Sequence, residues 1–449
     1  MKFKNNYFII FFISFFLITF LYLFFKVLFN DDLSHDYYIK YYLILITASL
    51  FLITSFFLKE NIKRYIVIFI LSFCSSLYLA ETFLFFSKIE KLSSTQKKNK
   101  IHELRSEIAK LNNIDFDFRD KKKIFKELKK KNKSTSIAVS TMKLLDNKKI
   151  IPLAQKSNSL IINCNENGYW TMLYSDRFGF NNDDEIWDNK KIDILLIGDS
   201  FVFGNCVKTN ESGFAHYLEK FTNKKTLNLG IPGSGLLSYH ARISEYTLDF
   251  EFEKILFFIT ENDLKHDFFK EKKSLLNNYL QENKSYNLKI KQNEINNILE
   301  NIIQKNLNKE TSQILSTNYS FIDYLKLQRI RNLTIKDRFN LRNNKNKEIA
   351  NLEKIFLNVR ELHPNSEIYY IFLPTYDNYN KFFKRDKIPE FEFIKKVLKK
   401  NNFKFIDIHQ DLFNHDKNPK KYYPFELWGH YNNEGFKVIS KYIAKKIFN

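Results

Sequence analysis

Ser200 is the residue of this chain best placed to act as a nucleophile. It follows the apolar run ILLIG (194–198) and stands in the sequence GDSFVFG (198–204). A serine hydroxyl is a weak nucleophile until a base accepts its proton, and an acyl transfer also needs N–H donors for the oxyanion that forms. If Ser200 is reactive, other segments of the chain must supply that base and those donors.

Three further polar segments lie where strands end or helices begin. NLGIPGSG (228–235) and TEND (260–263) each follow an apolar run, and WGHYNNEG (428–435) precedes the last amphipathic stretch. The carboxyl ends of parallel strands meet at one edge of a sheet. We therefore expect these segments to share a cavity with Ser200, in which His430 is the candidate base.

Short apolar runs alternate with amphipathic stretches from residue 191 to the last residue, 449. This alternation predicts an α/β domain with a parallel sheet covered by helices on both faces, that is, three layers. The predicted strands are 192–198, 225–230, 254–260, 366–374 and 403–409. The polar, Asn- and Lys-rich stretch 265–345 is predicted to be a helical insertion, either a lid or polymer-binding element or a solvated elaboration.

The four segments resemble sequence blocks of the SGNH, or GDSL, hydrolase superfamily across residues 190–449. IGDSFVFG resembles the first block, NLGIPG the second, END the third and GHYNNEG the fifth. The GxSxG motif of α/β-hydrolases is not formed, because Val202 occupies the place of its last glycine. The resemblance implies an SGNH, flavodoxin-like fold and a serine esterase activity.

The resemblance also implies a role for each matching residue. Ser200 is expected to be the nucleophile and His430 the general base. The oxyanion donors implied are the backbone N–H groups of Ser200 and Gly233 and the side-chain amide of Asn262. No cofactor is implied, and we recognise no spacing of His, Cys and Asp typical of metal ligands.

The acid that would orient the histidine is the uncertain member of this set. The family usually has Asp two or three residues before the histidine, but Trp428 and Leu427 stand there. Glu426, four residues before His430, is one candidate, and a backbone carbonyl is the other. The third block has Glu261 where glycine is usual, which brings a charge close to the expected oxyanion site.

Three apolar runs near the N-terminus predict a transmembrane anchor of three helices over residues 1–88. The runs are 7–29, 41–58 and 65–86, each close to the ~20 residues that span a bilayer. The first is longer than the apolar core of a cleaved signal peptide. Basic flanks (MKFKNN, KENIKR) and an acidic first loop (NDDLSHD) place the N-terminus in the cytoplasm and the following domain outside a bacterial inner membrane, in the periplasm.

The exported part has two predicted segments before the catalytic domain and two cysteines. Residues 89–134 are expected to form a helical stalk or linker, and 135–190 a loop-rich lead-in. Outside the cytoplasm Cys164 and Cys206 can form a disulfide, although both may instead be free thiols. A loop of ~40 residues closed in this way stabilises a fold by about 4 kcal/mol in the chain-entropy account.

The chain is basic, with 71 Lys and Arg against 50 Asp and Glu and a net charge of +21. The lysines are dispersed rather than interleaved with aromatics along one stripe, which argues against nucleic acid as a partner. The resemblance, together with the predicted anchor, implies a membrane-anchored esterase of acyl, chiefly acetyl, esters that acts through an acyl-enzyme on an envelope glycan or on a small ester. The alternatives are an O-acyltransferase that modifies a surface polysaccharide and a catalytically degenerate module that binds glycan.

Overall fold

The computed structural model describes most of the chain, in two compact units. The described residues are 5–28, 35–86, 94–208, 212–263, 267–281, 285–313, 324, 327, 329–330, 345–379 and 389–448. One unit comprises Met1–Lys91 and Asn318–Asn340, and the other comprises Leu92–Thr317 and Leu341–Asn449.

The first unit is built from three helices, α1 (Asn5–Leu28), α2 (His35–Ser55) and α3 (Glu60–Phe86). Segments of α1 and α3, 20 and 25 residues long, are long and apolar enough to cross a membrane. The apolar part of α2 is only Tyr41–Ser55, because the helix ends there and residues 56–58 form a turn. Two candidate spans are therefore found in the described chain, and the prediction of three is not confirmed.

Part of the predicted insertion belongs to this first unit. The carboxylate of Glu81 on α3 accepts the backbone N–H groups of Arg329 and Ile330, at 3.0 Å each. The hydroxyl of Tyr324 lies 2.7 Å from that of Thr82. The stretch 265–345 is thus not one element, since Asn318–Asn340 belongs to the first unit and the residues on either side of it belong to the second.

The second unit begins with two helices and a small sheet. The helices are α4 (Ser94–Leu111) and α5 (Lys121–Lys131), and the strands are β1 (Thr135–Ile137), β2 (Leu160–Ile162) and β3 (Met172–Tyr174). The strand β2 pairs in parallel with β1 and antiparallel with β3. Arg105 and Ala109 of α4 and Ile124 and Phe125 of α5 are buried, so the predicted stalk is instead part of this compact unit.

The main sheet has five parallel strands in the order β5-β4-β6-β7-β8. They are β4 (Lys191–Ile197), β5 (Thr226–Asn228), β6 (Glu251–Ile259), β7 (Glu367–Phe372) and β8 (Lys404–Asp407). These strands are nearly continuous apolar runs, as sheets covered on both faces require. The predicted α/β class with a parallel sheet is confirmed.

Alternate residues of the strands enter two separate cores, one on each face of the sheet. Leu195 and Ile197 pack with one set of helices, whereas Ile194 and Leu196 pack with the other. The helices are α6 (Ser200–Phe203), α7 (Phe214–Thr222), α8 (Leu236–Tyr246), α9 (Phe268–Glu271), α10 (Leu276–Gln281), α11 (Gln292–Gln313), α12 (Lys345–Leu362), α13 (Pro389–Lys400), α14 (Ile408–Asp411) and α15 (Asn433–Phe448). The arrangement has three layers.

The topology explains why Ser200 lies beyond the carboxyl end of β4, at the point where the strand order of the sheet reverses. The chain leaves β4 to form β5 on one side and then crosses back to form β6 on the other. Ligands of open α/β sheets bind where the strand order reverses in this way, beyond the carboxyl ends of the strands. Ser200 begins α6, three residues after β4 ends at Ile197.

Gly230 keeps the segment after β5 in contact with α6. A Cβ at this position would overlap the backbone of Val202 and Phe203. We expect Gly230→Ala to destabilise the second unit by about 1–3 kcal/mol, because backbone must shift to admit the methyl group. Thermal unfolding measures the change, and an unaltered midpoint would show that the loop can withdraw from α6 without cost.

Candidate active site

The turn that presents Ser200 is fixed by the residue before it. Asp199 caps the short helix α6, and its Oδ1 accepts the N–H of Phe201 at 2.9 Å. The backbone carbonyl of Asp199 accepts the N–H of Phe203 at 3.0 Å. Burial raises the pKa of the Asp199 carboxyl to about 6, against the opposing effect of the N–H it accepts. Asp199 thus orients the turn from which the Ser200 side chain extends.

His430 lies beside Ser200, although 230 residues separate them in the chain. Its Nε2 is 2.8 Å from Ser200 Oγ. The ring also packs against Phe201, with ring centroids 4.9 Å apart. A histidine nitrogen within hydrogen-bond distance of a serine hydroxyl is in position to accept its proton. The structure therefore brings together the predicted nucleophile and the predicted base.

The carboxylate that contacts the histidine is Glu166. Both of its oxygens are 3.2 Å from His430 Nδ1, and Oε2 also accepts the backbone N–H of His430 at 2.7 Å. Because an ionised carboxylate can only accept, Nδ1 must carry the proton, which leaves Nε2 free to accept from Ser200. The contact thus assigns the tautomer that a general base requires.

Glu166 is held in its charged form. Burial alone would raise its pKa, but attraction to the His430 ring when that ring is protonated, the hydrogen bonds from His430 and the charge of Arg105 outweigh that effect and hold the pKa of Glu166 at about 2. A charged carboxylate next to Nδ1 stabilises the imidazolium that forms when Nε2 accepts a proton.

Glu426, the predicted orienting acid, lies elsewhere, and that prediction is wrong. Its Oε1 accepts the side-chain amide of Asn418 at 3.1 Å, and its backbone carbonyl accepts the hydroxyl of Tyr376 at 3.0 Å. The residue has a positive φ of 55° in a tight turn, so proximity in sequence does not bring its carboxylate to His430. No backbone carbonyl takes the place of the acid either, since Glu166 contacts Nδ1.

Cys164 and Cys206 form a disulfide at the edge of this group. Their Cα atoms are 5.1 Å apart, and Cys206 Sγ is 3.7 Å from His430 Nδ1. Cys164 lies two residues before Glu166, and Cys206 lies six after Ser200. The bridge therefore joins the loop of the acid to the loop of the nucleophile.

A metal does not fit this cluster. Glu166, Cys206 and His430 offer donor atoms within 4.8 Å of one another, the only such group found among the described residues. The sulfur of Cys206 is bonded in the disulfide, however, and is not the thiolate that a metal binds. The remaining two side chains are hydrogen bonded to each other.

The segments expected to supply oxyanion donors differ in what they present. Gly233 has a φ of +60° and packs so closely on Ser140 that a Cβ would not fit. Asn262 is exposed at the start of the segment after β6. Their roles remain predictions. The charge of Glu261 is directed away, since its carboxylate accepts the N–H of Thr375 and the amide of Asn378, at 3.2 and 2.7 Å.

Asn205 is a side-chain amide at the site that the sequence analysis missed. Its Nδ2 is 3.4 Å from His430 Nε2, and its backbone N–H donates to the carbonyl of Ser200 at 3.0 Å. The residue lies in the turn after α6, one position before Cys206. It is thus a second candidate, beside Asn262, for an amide that touches the reacting groups.

A buried arginine, Arg242, binds both the turn before Ser200 and the loop after β5. Arg242 on α8 donates to the carbonyl of Gly198 at 2.7 Å and to the hydroxyl of Ser234 at 3.1 Å. Burial lowers its pKa to about 10, while the nearby carboxylates, among them Glu271 and Asp199, act in the opposite direction. This side chain ties the turn before Ser200 to the loop that contains Gly233.

Comparison with known proteins gives distant structural likenesses. No protein-family profile and no curated protein matches the chain. One solved structure, assigned to the G-D-S-L lipolytic family from Desulfitobacterium hafniense, has 14% identity and a TM-score of 0.30, over 57% of this chain and 99% of its own. A carbohydrate esterase family 2 enzyme with a carbohydrate-binding domain, from Corynascus thermopiles (Myceliophthora fergusii), has 9% identity and a TM-score of 0.31, over 58% and 67%.

The lipase Lip_vut3 from a goat rumen metagenome is similar at 12% identity and a TM-score of 0.28, over 57% of this chain and 98% of its own. Likenesses at this level do not establish a function for the chain. The chemistry available to the chain follows from the geometry of Ser200, His430 and Glu166.

The disulfide predicts a specific pattern of thiol reactivity. In the denatured full chain one of the three cysteines, Cys74, should react with maleimide without reductant, and all three after reduction. The variant Cys74→Ala is the control: no cysteine should be labelled before reduction, and two should be labelled after it. Reduction should also cost the second unit about 4 kcal/mol of stability, given a sequence separation of 42 residues. Labelling of all three cysteines without reductant would contradict the bridge.

Proposed function

We propose that this chain is a membrane-anchored serine esterase of the SGNH type that acts on acyl esters. The observation that supports the proposal is the hydrogen-bonded series Glu166–His430–Ser200, with contacts of 3.2 and 2.8 Å. A carboxylate, a neutral imidazole and a hydroxyl in this order activate the hydroxyl for attack on a carbonyl.

The reaction follows from the atoms in contact. Ser200 Oγ attacks the ester carbonyl carbon while its proton passes to His430 Nε2, and Glu166 stabilises the imidazolium. His430 then gives that proton to the departing alcohol, and the acyl group remains bonded to Ser200. Water then attacks the acyl carbon while His430 Nε2 takes its proton, the bond between that carbon and Ser200 Oγ breaks, and His430 returns the proton to Oγ, which releases the carboxylic acid and restores the enzyme. Backbone N–H groups of Ser200 and Gly233, with Asn262 or Asn205, are the proposed oxyanion donors.

The proposed substrate is an acetyl ester on a glycan of the bacterial envelope. The side chain of His430 is 20% exposed, so the reacting pair is accessible to a group carried on a large polymer. The net charge of +21 favours an anionic polymer over a neutral one, and such binding should weaken as salt is added. An O-acyltransferase would share every step until a sugar hydroxyl replaced water.

The proposed location is the extracytoplasmic side of the inner membrane. The apolar helices α1 and α3 support anchoring. A disulfide between Cys164 and Cys206 is favoured in an oxidising compartment such as the periplasm. The basic residues before α1 support a cytoplasmic N-terminus.

Ser200 provides the direct test. The full chain in detergent should release p-nitrophenol from its acetyl ester, and a fluorophosphonate probe should label Ser200. Ser200→Ala should abolish both, whereas Ser244→Ala is a matched control because that hydroxyl only bonds the carbonyl of His240 on α8.

Measurements of glycan binding and of acyl transfer, made beside this assay, separate the rival functions. Glycan binding without labelling or hydrolysis would indicate a degenerate binding module and overturn the esterase. Transfer of the acyl group to an added sugar, in preference to water, would indicate the O-acyltransferase.

The two glutamates give a matched pair of variants. We expect Glu166→Gln to lower kcat by up to about 10⁴-fold, because the amide neither stabilises the imidazolium nor enforces its tautomer. The KM should change little. Glu426→Gln should retain wild-type activity, since that carboxylate bonds Asn418. Equal losses in the two variants would contradict the assignment of Glu166.

A further inference from the structure

Arg105 is a buried cation on α4, the helix that follows the first unit in the chain. Only 5% of the residue is exposed. A guanidinium is removed from water at considerable cost unless hydrogen bonds and an opposite charge compensate it. Burial lowers the pKa of Arg105, and the charge of Glu166 opposes that shift. The partners of this side chain should therefore explain why it is buried.

Those partners are the two supports of His430. Nη2 of Arg105 donates to the backbone carbonyl of Trp428 at 2.6 Å and lies 3.9 Å from Glu166 Oε2. Trp428 is two residues before His430, and Glu166 contacts both Nδ1 and the backbone N–H of His430. One guanidinium thus reaches the turn that carries the imidazole and the carboxylate that orients it.

Gly429 shows how closely these groups approach. A Cβ at this position would lie 2.5 Å from both Arg105 Nη2 and Glu166 Oε2. Real Cβ contacts are essentially never so short, so the guanidinium and the carboxylate occupy the space that a side chain at Gly429 would need. A glycine immediately before His430 is what allows the cation and the anion to meet over the turn.

We propose that Arg105 is a positioning residue of this active site, which holds Glu166 and the 428–430 turn so that His430 Nε2 faces Ser200. The inference rests on the proposed esterase function. In this role Arg105 makes α4, the helix that follows the first unit in the chain, a structural part of the catalytic centre. Arg105 touches no reacting atom and acts through Glu166 and the turn.

Removal of the cation should lower turnover rather than substrate binding. Arg105→Met should reduce kcat about 10- to 100-fold, the range expected when one hydrogen bond to a charged group is lost, with little change in KM. Arg105→Lys keeps the charge and should recover part of the loss. Arg177→Met is the matched control, because this partly exposed arginine pairs with Asp184 and Asp188, and it should leave kcat unchanged.

A double-mutant cycle separates positioning from general destabilisation. If Arg105 acts through Glu166, Arg105→Met should cost much less in the Glu166→Gln background than in the wild type. The loss should appear in kcat and not in KM in the wild-type background, because Arg105 contacts the supports of His430 and no substrate-binding group. Equal losses of kcat in both backgrounds would overturn the proposal.

A crystal structure of Arg105→Met tests the inference independently of activity. We expect the 3.2 Å contact between Glu166 and His430 Nδ1 to be lost or lengthened while the sheet is unchanged. An unaltered contact would overturn the role of Arg105 even if the esterase is real. If the wild-type chain has no Ser200-dependent activity, the esterase proposal fails. The crystal structure of Arg105→Met still shows whether Arg105 holds Glu166 in place, so the two failures can be told apart.

Discussion

The site depends on one series of hydrogen bonds, from the Glu166 carboxylate through the His430 imidazole to the Ser200 hydroxyl. Each link constrains the next. The carboxylate requires the proton on Nδ1, and only this tautomer leaves Nε2 with a lone pair for the serine proton. The three groups come from the lead-in, from the end of β4 and from the turn before α15, so the series exists only when the second unit is fully folded.

Two buried arginines fix the turns that carry the nucleophile and the histidine. Arg242 binds the carbonyl of Gly198 and the hydroxyl of Ser234, and so fixes the turn of the nucleophile against the loop after β5. Arg105 binds the carbonyl of Trp428 beside Glu166, and so fixes the turn of the histidine. Both guanidiniums replace lost hydration with carbonyl oxygens and nearby carboxylates, which is how a buried charge becomes tolerable.

The lead-in segment 135–190 therefore has a larger part than a connecting loop. It supplies Glu166, and the Cys164–Cys206 disulfide joins it to the turn after the nucleophile. Asn167 strengthens that connection by donating its amide to the carbonyl of Cys206 at 2.8 Å. A covalent link and a hydrogen bond thus hold the acid within reach of the imidazole, although the acid lies outside the five-stranded sheet.

The sequence by itself determined the parts that local pattern controls. Alternating apolar strands and amphipathic helices predicted the parallel sheet, and the residues that follow strand ends pointed to Ser200 and His430. The two exported cysteines carry one further signal, because a bridge from Cys164 to the nucleophile's loop brings Glu166, two residues from Cys164, to the same place. Glu426 is closer to His430 in the sequence, but its turn directs its carboxylate to Asn418.

Only the tertiary structure decided which carboxylate meets the imidazole and that α4 and α5 belong to the second unit. It also decided that the apolar part of α2 is only 15 residues long. Strand and helix patterns arise from neighbours along the chain, whereas contacts such as Glu166 with His430 and Arg105 with Trp428 depend on how distant segments pack. Apart from Cys164 two residues before Glu166, nothing in the local sequence around Glu166 or Arg105 distinguishes them from the chain's many other charged residues until the fold encloses them.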